Sequence, residues 1–104
     1  MDQNEFEISE ERTSEGIKFS IRGRINSINA DKLQDKLKKT LEDGHNNIIL
    51  NMLWVEFLNS AGIRVILKTF QDANRAGGKL GIEKPSQNVK NVLGMTALDE
   101  MLIN

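Results

Sequence analysis

Residues 48–67, reading IILNMLWVEFLNSAGIRVIL, constrain the fold more than any other stretch. Ile48-Ile49-Leu50 is a continuous apolar run, too brief for a helix and suited to a central strand covered on both faces. After it, Ser60 opens a segment in which Ile63, Ile66, Leu67, Phe70 and Ala73 mark the buried side of a long helix. A covered strand feeding an amphipathic helix is the building unit of an α/β domain, whose parallel strands are joined by right-handed crossovers.

The flanking sequence extends this pattern. Phe6 and Ile8 alternate with Glu7 and Ser9, and Ile17, Phe19 and Ile21 alternate with Lys18, Ser20 and Arg22. With a polar turn from Glu10 to Gly16 between them, these strands predict an antiparallel hairpin, the second strand ending at Gly23. Ala30, Leu33, Leu37 and Leu41 form the apolar stripe of a first helix, capped by Ser27 or Asn29 and stopped at Gly44. Met52–Leu58 reads as an unusually apolar connection, Ser60 as the cap of the second helix, and Gly77-Gly78 as its end. Leu80 and Ile82 mark another strand. Pro85-Ser86 opens a short helix containing Val89, Val92 and Leu93, and a last turn near Thr96 carries Leu98, Met101 and Leu102. The expected order is β-β-α-β-α-β-α-α. The expected fold is a small single α/β domain over residues 1–104, a mixed β-sheet with an N-terminal hairpin under about four helices.

Bulk properties narrow the function. At 104 residues the chain has little room for a deep substrate cavity beside its core. A net charge of −1 argues against a nucleic-acid partner, which calls for a basic face. The absence of cysteine excludes disulfides and thiolate metal sites and points to a reducing compartment. The opening Met1-Asp2-Gln3-Asn4-Glu5 is unlike a signal peptide, and no apolar run approaches the roughly 18 residues of a membrane span. These readings predict a soluble cytoplasmic domain. His45, the single histidine, sits in a polar turn beside Asn46 and Asn47, without a second imidazole or carboxylate cluster to make a metal or base site. Gly77-Gly78 follows a helix, the wrong end for a phosphate cradle. Glu10-Glu11 and Asp99-Glu100 fall on surface turns. The chain therefore reads as a binding protein, not an enzyme, with no cofactor and no metal.

One constellation stands apart. Asn59-Ser60-Ala61-Gly62 opens the second helix, where free N–H groups and the helix dipole tolerate an added phosphate. Ala61 and Gly62 carry almost no side chain and leave Ser60 approachable. Position and spacing alone favour a serine that only caps the helix.

Asn59-Ser60-Ala61-Gly62, preceded by Val55-Glu56-Phe57-Leu58 and followed by Ile63-Arg64-Val65-Ile66-Leu67, resembles the signature of STAS-domain anti-sigma factor antagonists. Gly23-Arg24-Ile25-Asn26 is similar to that family's turn before the first helix. Ala76-Gly77-Gly78-Lys79-Leu80, Pro85-Ser86, Val89-Lys90-Asn91-Val92-Leu93 and Thr96-Ala97-Leu98-Asp99 resemble its C-terminal half. The resemblance spans nearly the whole chain and implies partner switching. The unphosphorylated antagonist would bind an anti-sigma factor that is also a serine kinase of the GHKL ATPase type, freeing a sigma factor. Phosphorylation of Ser60 would release the complex, and a metal-dependent serine phosphatase would reset it. The partner surface implied is Asn26, Trp54, Asn59, Ser60, Ala61, Gly62 and Arg64.

Three departures from the family pattern bear on this. Asn26, Asn51 and Asn59 stand where the family often has acids, and Leu53 where it often has Ser or Thr. Asn51 and Asn59 fit a partner contact or a turn and cap equally well. Trp54 replaces a small or polar residue and is either a core plug or an exposed anchor. Arg64 suits a partner carboxylate, the phosphate or plain solvent. Lys84-Pro85 after a strand is similar to a response-regulator receiver, but Asn51 occupies the strand end that would need an aspartate. A scaffold of a stress-sensing complex and a STAS subunit of a lipid transporter use the same fold without requiring phosphorylation of Ser60.

Overall fold

A computed structural model describes residues 5–102; the polar opening at Met1–Asn4 lies outside the described residues. The elements run β1 (Phe6–Thr13), β2 (Gly16–Ile25), α1 (Ser27–Glu42), β3 (Asn47–Leu58), α2 (Ser60–Arg75), β4 (Lys79–Glu83) and α3 (Gln87–Met95). A 3₁₀ turn at Asp99–Met101 follows. The strands form one mixed sheet in the order β1-β2-β3-β4, with β1 antiparallel to β2 and the other pairs parallel. The α/β reading and the element order hold, with a 3₁₀ turn as the last helical piece.

Strand alternation sends Ile17, Phe19 and Ile21 of β2, Ile48, Leu50 and Met52 of β3, and Leu80 and Ile82 of β4 into the core. Leu33 and Leu37 of α1 and Ile66 of α2 meet them there. The buried side of α2 is turned slightly from the expected one. Val65, Ile66, Thr69 and Ala73 are buried, while Ile63, Leu67 and Phe70 are half-buried along its flank.

The hairpin is longer and tighter than expected. β1 continues to Thr13, whose Oγ1 accepts the Gly16 N–H at 3.2 Å and closes the turn. β2 does not stop at Gly23. That residue has φ +99 and a Cβ there would strike the Glu5 carbonyl, so glycine lets the edge of the hairpin pass while β2 runs on to Ile25.

Met52–Leu58 is not a connection but the second half of β3. Its buried residues are Ile48, Leu50, Met52, Val55 and Leu58, so the spacing lengthens from two to three. The cause is a register that slips twice against β2. Ser20 faces Asn51 while Arg22 faces Trp54, and Gly23 faces Val55 while Arg24 faces Phe57. Each slip places one more residue on β3 than on its partner, which is a β-bulge. Asn51 Oδ1 accepts the Leu53 N–H at 3.1 Å within the first bulge. The apolar run that looks aperiodic is therefore a strand whose period is reset twice.

Candidate functional site: the adjoining starts of α1 and α2

Parallel β2 and β3 end side by side, at Ile25 and Leu58, and each passes directly into a helix. Both helices start on an asparagine with extended backbone. Asn26 Oδ1 accepts the Asn29 N–H at 3.0 Å, and Asn59 Oδ1 accepts the Gly62 N–H at 3.1 Å. These are N-caps, each satisfying a donor that the first helical turn would otherwise leave unpaired. The expected caps Ser27, Asn29 and Ser60 are thus corrected by one to three places. Asparagine reaches the N3 amide from the residue before the helix, which leaves Ser60 as the first helical residue, exposed and not engaged in capping.

The two junctions are tied together. Asn59 N–H donates to the Ile25 carbonyl at 3.1 Å, and Asn59 Nδ2 donates to Ser27 Oγ at 3.2 Å. Asn29, fully buried, donates from Nδ2 to the Arg24 carbonyl at 2.8 Å. Two hydrogen bonds from Asn59 thus join the start of α2 to the end of β2 and the start of α1. Neither first turn carries an acidic residue. Two helix dipoles, each equivalent to roughly half a positive charge, meet there with neutral caps.

The remaining expected site residues are distributed unevenly around this edge. Ala61 is half-buried against the core. Gly62 is buried, and a Cβ there would lie 2.6 Å from Ile25 Cγ2 and 2.7 Å from Leu58 Cδ1. Its small size lets α2 seat on the two strand ends. Arg64 is exposed one helical turn beyond Ser60 and has no ion pair among the described residues. Trp54 is an exposed residue, 70% accessible, and not a core plug. It precedes Leu58 by four residues, about 13 Å along a strand, and its ladder neighbour is Arg22. Asn51 is likewise mid-strand, beside Leu53. The helix starts thus gather Asn26, Ser27, Asn59 and Ser60, with Arg64 on the next turn, whereas Asn51 and Trp54 stand on the sheet.

His45 is half-buried, with its Nε2 3.3 Å from an Arg12 guanidinium nitrogen. No group of three His, Asp or Glu among the described residues is arranged to hold a metal ion.

A family model of the STAS domain matches residues 8–104. The chain belongs to the STAS domain family. Over 72 residues it is 26% identical to BtrV of Bordetella bronchiseptica, a protein named among the anti-sigma factor antagonists. The match covers 69% of this chain and 62% of that protein, so it spans less than two thirds of the relative's length. Among solved structures, the anti-sigma factor antagonist SpoIIAA in its unphosphorylated form superposes with a TM-score of 0.83 at 17% identity, covering 93% of this chain and 86% of the other. The Bacillus protein SpoIIAA in its phosphorylated form gives 0.76 at 18% identity, covering 95% and 89%. At these identities the structural likeness is one of STAS fold. No helix among the described residues is long and apolar enough to cross a membrane.

Proposed function

We propose that this STAS protein is a cytoplasmic anti-sigma factor antagonist that acts by partner switching, with Ser60 as the phosphoacceptor. The unphosphorylated form binds an anti-sigma factor that is also a GHKL-type serine kinase; phosphorylation at Ser60 releases it, and a metal-dependent serine phosphatase restores binding. The protein acts by occupancy and not by catalysis.

The observation that carries this reading is Ser60 itself. It stands exposed at the first position of α2 while Asn59 does the capping, so its hydroxyl is spared from a structural task. A phosphate there adds about −1.5 to −2 charges next to two neutral-capped helix starts, where negative charge is tolerated. The free protein keeps its fold when modified. The same charge pressed against a partner loses its water, and that cost breaks the complex.

The asparagines support the same division of labour. Asn26 and Asn59 keep the capping hydrogen bonds that an acid would make but leave the dipoles uncompensated. The partner surface comprises Asn26, Asn59, Ser60, Ala61 and Arg64. Gly62 contributes from beneath by fixing how closely α2 seats.

Incubation with the cognate kinase and ATP, followed by mass spectrometry, tests this directly. A single phosphate on Ser60, absent from Ser60→Ala, is expected. Full modification of Ser60→Ala would show that another residue takes the phosphate, and no modification of the wild type would refute the switch and favour a scaffold or transporter subunit.

A further inference from the structure

Ser27 and Ser60 stand in matching places. Each is the exposed first residue of a helix capped by an asparagine, Asn26 or Asn59. One helical turn further on the match ends. α1 carries Asp31 four residues after Ser27, whereas α2 carries Arg64 four residues after Ser60, and both are exposed. The hydroxyls differ as well. Ser27 Oγ accepts from Asn59 Nδ2 at 3.2 Å, while capping of α2 falls to Asn59 and leaves Ser60 outside it.

Helix geometry directs Arg64 toward Ser60. Cα–Cβ bonds tilt toward the helix N-terminus, so a long side chain lies over the preceding turn, where residue i−4 stands. The other helical neighbours of Arg64 offer it no anion. Ala61 and Leu67 stand at i−3 and i+3, and Lys68 at i+4 has the same charge and is held by Asp72 at 3.1 Å. Arg64 itself has no ion pair among the described residues. Arg24, the cation near the end of β2, is drawn elsewhere: it lies over the Phe57 ring on the open face of the sheet, 4.4 Å from the centroid. A phosphate on Ser60 therefore gives Arg64 an anion within its helical reach. An acid N-terminal to a base at i,i+4 is the favoured order, and a guanidinium can meet two phosphate oxygens at once. At Ser27 the same phosphate would face the like charge of Asp31 at i+4, which is unfavourable.

We propose that Arg64 is the positioning residue for a phosphate on Ser60: it clasps the phosphate across one helical turn and makes Ser60, not Ser27, the favoured seat for a dianionic phosphate. The clasp also withdraws Arg64 from any carboxylate of a partner, so one modification alters two groups of the proposed binding edge. This inference rests on the reading of Ser60 as the phosphoacceptor.

Phosphoserine incorporated genetically at position 60 of the full chain, titrated by phosphorus NMR, reads the clasp without a kinase. The second ionisation of a serine phosphate falls near about pH 6, and a neighbouring cation favours the dianion and lowers it. With Arg64 present it should fall at least about 0.3 pH units below that in Arg64→Gln, the size expected of an i,i+4 pair. Arg64→Lys should recover part of the shift, keeping the charge without the two-pronged geometry. Lys68→Gln, a change about 12 Å further along the helix than Ser60, should leave the titration where it is. Phosphoserine at position 27 should titrate above that at position 60, and Asp31→Asn should lower it. Equal titrations with and without Arg64, or a rise in Lys68→Gln as large as in Arg64→Gln, would overturn the clasp. A phosphate at position 27 titrating at or below the one at position 60 would overturn the choice between the two serines. A kinase that leaves Ser60 unmodified would strike the proposed function without touching these titrations, and equal titrations would strike the clasp alone.

Discussion

The helix-start edge and the open sheet face lie on the same two strands and are built in opposite ways. At the edge, the asparagines hold the structure and Ser60 is left over. Asn26 and Asn59 cap, Asn59 also braces Ser27, and Gly62 is packed against Ile25 and Leu58. What remains accessible is small, chiefly Ser60. On the open face the backbone is bulged, the side chains are large, and Trp54 buries little of its area within the chain. On the proposed reading, one charge added at Ser60 should change the binding properties of such an edge abruptly. A face of exposed aromatics offers area and loses little from any single charge elsewhere.

Substitutions can break this contrast, and binding should show the largest effect. Ser60→Asp should weaken the complex with the proposed kinase partner by about 2–5 kcal/mol, since a matched interfacial position is replaced by unpaired charge. The exposed Lys38→Glu, on α1 away from the helix starts, should cost no more than about 1 kcal/mol. Equal effects of the two would remove the edge from the interface.

Packing comes next. Gly62→Val forces new atoms into Ile25 and Leu58 and should destabilise the fold by about 1–3 kcal/mol in urea denaturation. A neutral result would mean that α2 does not depend on close seating at the strand ends. Asn59→Ala removes a cap and the brace to Ser27, and should cost roughly 1 kcal/mol. Asn59→Asp should keep the cap and add a favourable charge at the helix start, so stability equal to Asn59→Ala would show that capping is not the role of this residue.

The smallest stability effect belongs to the open face. Trp54→Ala should change unfolding free energy by less than about 0.5 kcal/mol, as for surface residues outside such structural features. A loss comparable to core truncation, about 3–5 kcal/mol, would show that Trp54 is a structural residue.

Much of the architecture is legible in the sequence because alternation in the hairpin and the stripes Ala30-Leu33-Leu37 and Ile66-Ala73 follow single periods. The second half of β3 escapes such reading because two bulges change the interval between buried residues from two to three. The change itself is a signal. Met52, Val55 and Leu58 spaced by three, within a β-rich run, mark a bulged strand as well as they mark a connection. The cap positions are misread for a different reason. Asn26-Ser27 and Asn59-Ser60 each offer two capping residues in succession, and tertiary placement on the ends of β2 and β3 chooses the first. The site at Ser60 is legible as a motif, but its link to Ser27 through Asn59 joins residues distant in sequence and depends on parallel strand pairing.

A switch at Ser60 requires that a phosphate there change partner affinity without changing the fold. Calorimetric titration of the kinase partner with unmodified and Ser60-phosphorylated protein, each checked for unchanged thermal unfolding, measures this directly. Phosphorylation is predicted to weaken binding by about 2 kcal/mol or more, roughly thirtyfold, and treatment with a metal-dependent serine phosphatase should restore it. Equal affinities for the two forms, both folded, would contradict the partner-switching account.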